Sequence, residues 1–194
     1  EHNGPEWYIE SSKRIHYMLP KAHAVAYVTM GFRVAWFKVH HPEAYYAAYF
    51  TVRADDFDTS TMAMGERVAR EALEEINQRK KDGTAAPKDD NLIPTLELCI
   101  EMYCRGYKFT KVDLYKSHAT DFIITEDGLL PPLNALPGLG ENAAKAIMAE
   151  RDKGEFKNIE DLRLRTGATK SVIEILEQNG CFDGMNATNQ VSLL

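Results

Sequence analysis

The chain has 194 residues, 44% of them hydrophobic and 27% charged, with 12 Gly and 8 Pro, which excludes disordered, collagen-like and low-complexity classes. That length can bury one large core or two small ones. A net charge of −6 ordinarily argues against a nucleic-acid partner, but the charge is unevenly placed. Residues 1–54 carry six Lys or Arg against four Asp or Glu, and hold five of the six His, so this head is +2. Residues 55–110 (eight against twelve) and 111–194 (nine against thirteen) are each −4. The basic head either faces an anion or has an ordinary solvated surface.

In the head, residues 6–18 read as a helix until Pro20 removes an amide and restricts Leu19. From Ala22 to Val39 the spacing of Val25, Val28, Phe32, Ala35 and Trp36 is helical and predicts a mostly buried helix, with His23 and Tyr27 four apart on one face. Around the break stand Lys13, Arg14, His16, Tyr17, Lys21 and His23, beside a helix N-terminus that favours anions. This is either a phosphate or nucleotide pocket, with Lys on phosphate and Tyr as stacking face, or a snorkelling, solvated surface. Glu43 to Val52, rich in Tyr and Ala, predicts a third packed helix. Asp55, Asp56 and Asp58 read as a solvated N-cap for a helix near 59–81 rather than as metal ligands.

Residues 60–80 predict an amphipathic surface helix, and 81–91 a polar loop. Helix signals resume over Leu92–Arg105 and stop at Gly106. Lys111–Tyr115 and Asp121–Thr125 then read as strands, with Asp127-Gly128 as a hairpin turn into Leu129-Leu130. Cys99, Cys104 and Cys181 form no CxxC pair and no zinc-type spacing, the usage expected of a reduced, cytosolic compartment, and no metal site is expected here. Cys99 and Cys104 read as small buried hydrophobes. The uncharged stretch at 22–32 is well short of the ~18 residues a membrane span requires, and no signal-peptide pattern is present. A chain that begins at Glu1 rather than Met is expected to be a processed product or a piece of something longer.

The most specific short motif lies at 131–152. Pro131–Leu136 precedes Pro137-Gly138-Leu139-Gly140, and a helix follows with Ala143, Ala144, Ile147 and Met148 inward. Glycines at 138 and 140 let backbone amides approach a phosphate closely, and Lys145, one turn on, can add a second contact. The motif resembles the helix-hairpin-helix of DNA-binding proteins. A second, degenerate copy follows, with Asn158–Asp161 opening a short helix and Thr166-Gly167-Ala168-Thr169 at the hairpin before Lys170–Gln178. Gly180 closes the last helix. After Phe182 the chain turns small and polar and reads as a flexible tail. It ends in Gln190-Val191-Ser192-Leu193-Leu194, a composition suited to docking in an external pocket.

Several blocks agree in order along the chain: Tyr17-Met18-Leu19-Pro20-Lys21-Ala22-His23-Ala24 with Ala26-Tyr27, Phe37-Lys38-Val39-His40-His41-Pro42, Tyr49-Phe50-Thr51-Val52-Arg53-Ala54, Arg105-Gly106-Tyr107, Lys111–Tyr115, the Pro-Gly-Leu-Gly hairpin and the final pentapeptide. Together they resemble the C-terminal region of the bacterial C-family replicative DNA polymerases of PolC type, the alpha subunit of DNA polymerase III. The resemblance implies a mainly α fold with a small β element. A helical fingers segment with adjoining elements (1–130) would precede a helix-hairpin-helix DNA-binding domain (131–184) and a flexible tail (185–194). It implies nucleotide binding by Tyr17, Lys21, His23 and Tyr27, duplex binding by Pro137, Gly138, Leu139, Gly140 and Lys145, and sliding-clamp binding by Gln190, Val191, Ser192, Leu193 and Leu194.

Two departures stand out: Leu19 where the family often has Phe, and Val191 and Leu194 where its clamp peptide usually has Leu and Phe. The family's palm carboxylates, which hold two Mg²⁺ ions, are not recognisable here, so the chain is expected to be inactive alone, within a parent that also carries a proofreading exonuclease. The rival reading is a non-catalytic helix-hairpin-helix adaptor with a clamp tether. A small-molecule enzyme finds no nucleophile–base pair or cofactor loop to support it.

Overall fold

The computed structural model describes residues 4–14 and 21–188, apart from the side chain of Asp55, and the chain divides into two compact units at Pro42/Glu43. In the first unit, α1 (Glu6–Arg14) opens on an acid and closes on Lys13 and Arg14, charges that suit the helix dipole. The rest of the helix expected to continue to residue 18, including Tyr17 and Pro20, lies outside the described residues. Helix α2 (Lys21–His40) forms as expected, but none of its residues is buried. The expected burial fails because its apolar side chains do not gather into the single stripe that one neighbour can cover.

The second unit opens with α3 (Pro42–Val52), which buries Tyr46, Ala47 and Phe50. Gly65, at φ +104°, starts α4 (Glu66–Lys81), so the amphipathic helix begins later than the sequence suggested, after a short 3₁₀ turn at Met62–Met64. Asp58 is therefore not its N-cap: it accepts from the Ser60 N–H at 2.8 Å and hydroxyl at 2.6 Å, while Asp56 pairs with Arg53 at 3.3 Å. Helix α5 (Asp89–Cys104) stops where expected, with Gly106 at φ +85°. Helices α4 and α5 are joined through Asp89, which is 1% exposed: Arg79 donates to it at 3.1 and 3.3 Å, and the Ala86 N–H at 2.9 Å. Four phenylalanines form the centre of this first core: Phe50, Phe57, Phe109 and Phe122, with ring centroids 4.9–5.9 Å apart. A fully buried Phe contributes about 1.5–3 kcal/mol.

Strands β1 (Ile123–Thr125) and β2 (Gly128–Leu130) pair antiparallel, Thr125 opposite Gly128. Lys111–Tyr115, expected as a strand, is not one. Its backbone follows an Asx turn in which Asp113 Oδ1 accepts from the Tyr115 and Lys116 N–H groups, with the buried Ser117 hydroxyl accepting from the Asp113 N–H. Side-chain acceptors here outcompete a ladder partner. The segment lies instead on the second core, where Arg151 donates to the Leu114 carbonyl at 2.6 Å and the Phe156 N–H to the Tyr115 hydroxyl at 3.2 Å.

That second core gathers Val112, Leu114 and Ala119 with Leu133, Leu136 and Leu139, and with residues of α6 (Glu141–Arg151), α7 (Ile159–Thr166) and α8 (Lys170–Gln178). The chain is thus mainly helical with one small two-stranded sheet, and a helix-hairpin-helix lies toward its C-terminal end.

Candidate nucleic-acid interface

The first hairpin is built by a 3₁₀ turn at Leu133–Ala135, the exposed Pro137 and Gly138, the buried Leu139, and Gly140 as the N-cap of α6. Leu136 and Leu139 anchor it in the core, with the Leu139 N–H bonded to the Leu136 carbonyl at 2.9 Å. The two glycines differ in kind. Gly138 sits at φ +90°, a conformation other residues rarely adopt. Gly140 sits at φ −71° and ψ 159°, open to any residue, and a Cβ there would meet no atom within 4 Å. Neither the fold nor the backbone requires a glycine at 140; what its missing side chain leaves clear is the approach to the α6 amides from outside the protein.

Gly140 offers no side-chain cap, so the first amides of α6 keep the unpaired donors that every helix start presents. Such a start binds anions through N–H groups and the helix dipole together. Glu141 stands in that first turn, and Lys145 Nζ lies 2.5 Å from its carboxylate, both groups more than half exposed. An exposed i,i+4 pair of this kind is worth a few tenths of a kcal/mol at most, about 0.5 kcal/mol, so Lys145 is readily available to a phosphate.

The second hairpin has the same outline and a different end. Asn158, 1% exposed, caps α7 by accepting from the Asp161 N–H at 2.8 Å, and Gly167 leaves the helix in the left-handed conformation at φ +67°. Thr169 then caps α8 with its own hydroxyl, accepting from the Val172 N–H at 3.4 Å. This helix start is thus served from within the chain, where that of α6 is bare. A hollow of about 260 Å³ separates the first turn of α6, at Asn142 and Ala143, from Thr166, Gly167 and Thr169 of the second hairpin. Sequence reasoning missed two supports: Ile175 of α8, which backs Gly138, and Arg165, which ties α7 to the end of α6. The Thr169 cap was legible as Thr before a helical run.

In the head, Lys21, His23 and Tyr27 are all exposed at the start of α2, which has no acid in its first turn. The rings of His23 and Tyr27 meet edge to face with centroids 4.4 Å apart, so the expected shared face is present. Tyr17 and the peptide Gln190, Val191, Ser192, Leu193 and Leu194 lie outside the described residues. Among the described residues no group of three His, Cys, Asp or Glu could hold a metal ion, and no helix is long and apolar enough to cross a membrane.

Comparison with known proteins joins these features. Residues 106–191 match the family model of the helix-hairpin-helix motif. The chain is 55% identical over 193 residues to the DNA polymerase III PolC-type of Caldanaerobacter subterraneus subsp. tengcongensis, covering 100% of the chain and 14% of that relative. It is likewise 55% identical over 193 residues to that of Oceanobacillus iheyensis, and 53% identical over 191 residues to that of Bacillus subtilis, covering 100% and 98% of the chain and 13% of each relative. The chain spans about one seventh of the length of these relatives. Along its whole length the chain corresponds in sequence to a segment of the DNA polymerase III of PolC type, with a helix-hairpin-helix motif in its C-terminal half.

Proposed function

We propose that the chain is the C-terminal part of a longer, cytoplasmic, replicative DNA-directed DNA polymerase, to which it contributes duplex binding, incoming-nucleotide binding and a tether to the sliding clamp. The observation that carries this reading is the bare N-terminus of α6 at Gly140, in a hairpin of a chain that matches PolC-type polymerases along its length. Backbone amides at Gly140 and the first turn of α6 take one phosphate of a primer–template duplex, and Lys145 takes a neighbouring one. Pro137, Gly138 and Leu139 set the hairpin's shape. Such contacts position a duplex without reading bases, as a polymerase that copies any sequence requires.

At the start of α2, Lys21 supplies a cation for the triphosphate, and His23 with Tyr27 and Tyr17 supplies ring faces for the base of a deoxynucleoside triphosphate. The pentapeptide Gln190–Leu194 enters the clamp. With Val191 and Leu194 in place of Leu and Phe, it lacks an aromatic anchor and binds more weakly than the usual peptide. The donor set described here does not fit a pair of Mg²⁺ ions: Asp56 and Asp58 are engaged by Arg53 and Ser60. The metal-binding carboxylates therefore belong to the parent's palm, and no metal-assisted step is assigned to this chain.

Anisotropy of a labelled primer–template duplex tests the hairpin. Gly140→Val leaves the unfolding midpoint unchanged and weakens duplex binding about tenfold whatever the sequence, and Lys145→Ala reduces the salt slope by about 1. Unchanged affinity in Gly140→Val overturns the phosphate assignment. Removing residues 190–194 abolishes clamp binding and spares duplex binding, and unchanged clamp affinity overturns the tether.

A further inference from the structure

Helix α2 carries apolar side chains on two opposite faces. At 100° per residue, Val25, Val28, Phe32, Trp36 and Val39 share one face, and Tyr27, Met30, Val34 and Phe37 share the other. Thr29 with Arg33, and Lys38, mark the two seams between them. Both faces are bare: Phe32 is 72% and Trp36 50% exposed on the first, Met30 56% and Phe37 51% on the second. A surface helix buries one stripe and wets the other side, whereas a helix apolar on both sides belongs in the interior of a large protein or in a membrane. The membrane is set aside by the helix itself, which carries Arg33 and Lys38 and is not apolar enough to cross.

We propose that α2 is an inner helix of the longer polypeptide, clasped on both faces by apolar surface from residues outside this chain; this rests on reading the chain as a polymerase segment. The occupant follows from length. Relatives that match the chain end to end are about seven times as long, so residues of the same polypeptide are available to cover both faces at once. A second copy of the chain would meet one face and leave the opposite one wet. The clasp also divides the helix by task, since it leaves Lys21 and His23, before the first apolar position, at the edge of the covered length.

Hydroxyl-radical footprinting with mass spectrometry needs no substitution, because the native Phe32, Trp36, Met30 and Phe37 are all reactive when exposed. It is run on this chain and on the full-length polypeptide, with the fully buried Phe50 and Met102 as internal standards. Expected is ready oxidation of all four in the monomeric chain and loss of that oxidation, to the level of Phe50 and Met102, in the full-length polypeptide. Continued oxidation of either face there overturns the clasp. Protection of all four already in the monomeric chain overturns the assigned occupant, as does protection that appears only on self-association. Primer extension by the same full-length sample separates the two readings: active polymerase with α2 still oxidised sinks this inference alone, and a protected α2 without primer extension sinks the polymerase reading alone.

Discussion

Gly138 rests so closely on Ile175 of α8 that a Cβ added to the glycine would stand 3.0 Å from the Ile175 Cδ1. The contact joins the first hairpin to the last helix of the second, so the position of the bare amides depends on a side chain 37 residues on. Two penalties apply to any substitution here, one from φ +90° and one from the contact.

Gly138→Ala is expected to destabilise the chain by about 1–2 kcal/mol through the backbone conformation, with a further cost from Ile175. Urea unfolding of the single and double variants separates the two parts. In an Ile175→Ala background the steric part vanishes and the backbone part remains; full recovery would show that the hairpin adopts another dihedral at no cost.

Arg165 clasps the end of α6. It donates to the Gly154 carbonyl at 3.0 Å, to the Glu155 carbonyl at 3.1 Å and to the Glu150 carbonyl, and its guanidinium lies 4.5 Å over the Phe156 ring. A planar fork can serve several carbonyls and stack at once, which an ammonium cannot. Arg165→Lys is therefore expected to lose about 2 kcal/mol of stability, close to the loss in Arg165→Ala, as read by chemical denaturation. Full stability in the Lys variant would assign the clasp to charge alone.

Asp89 makes stability depend on acid. The Arg79 guanidinium, aided by the Ala86 N–H, holds its carboxyl below the usual carboxylate range. A value lower in the folded than in the unfolded chain gives stability that is fully present above the unfolded value, about 4, and is lost as pH falls through the folded one. Asp89→Asn is expected to lower the urea midpoint at pH 7, with the gap to the unaltered chain closing as the pH drops below about 4. A gap that stays constant with pH would show that the carboxylate charge contributes nothing.

The three thiols should react in a fixed order with a disulfide reagent. Cys104 is exposed and reacts first. Burial, with the nearby Asp113 and Asp183 adding to it, pushes the Cys181 thiol up to about 11, and burial pushes Cys99 up to about 12, so Cys181 is slow and Cys99 waits for unfolding. Fast reaction at Cys99 in the folded chain would contradict the packing of α5.

Periodicity alone located α3, α5 and the two hairpins, because each has a local signature: a packed Tyr/Ala run, a stop at Gly106, a Pro-Gly pair, a threonine before a helical run. Gly65 was passed over because one glycine within a helical pattern is locally ambiguous, and only its φ of +104° shows that it ends one element and begins another. Phe57 escaped notice among three aspartates, since its three phenylalanine partners come from positions 50, 109 and 122 and nothing local announces them. The Lys111–Tyr115 strand looked sound by β-branching and alternation; its real determinants, Asp113 and Ser117, act through side-chain hydrogen bonds that alternation does not weigh. At the candidate site the reactive-looking positions were legible, whereas their supports, Ile175 and Arg165, lie in the second hairpin unit and emerge only when the chain folds back.

The segment at 111–119 places Val112, Leu114 and Ala119 under the same roof as Leu133, Ala144 and Leu162. Anyone excising the paired hairpins as a portable module, for fusion or for crystallisation, would therefore set the scissors before Lys111 rather than at the first proline of the motif. A shorter graft would leave an open seam of leucine and alanine to aggregate.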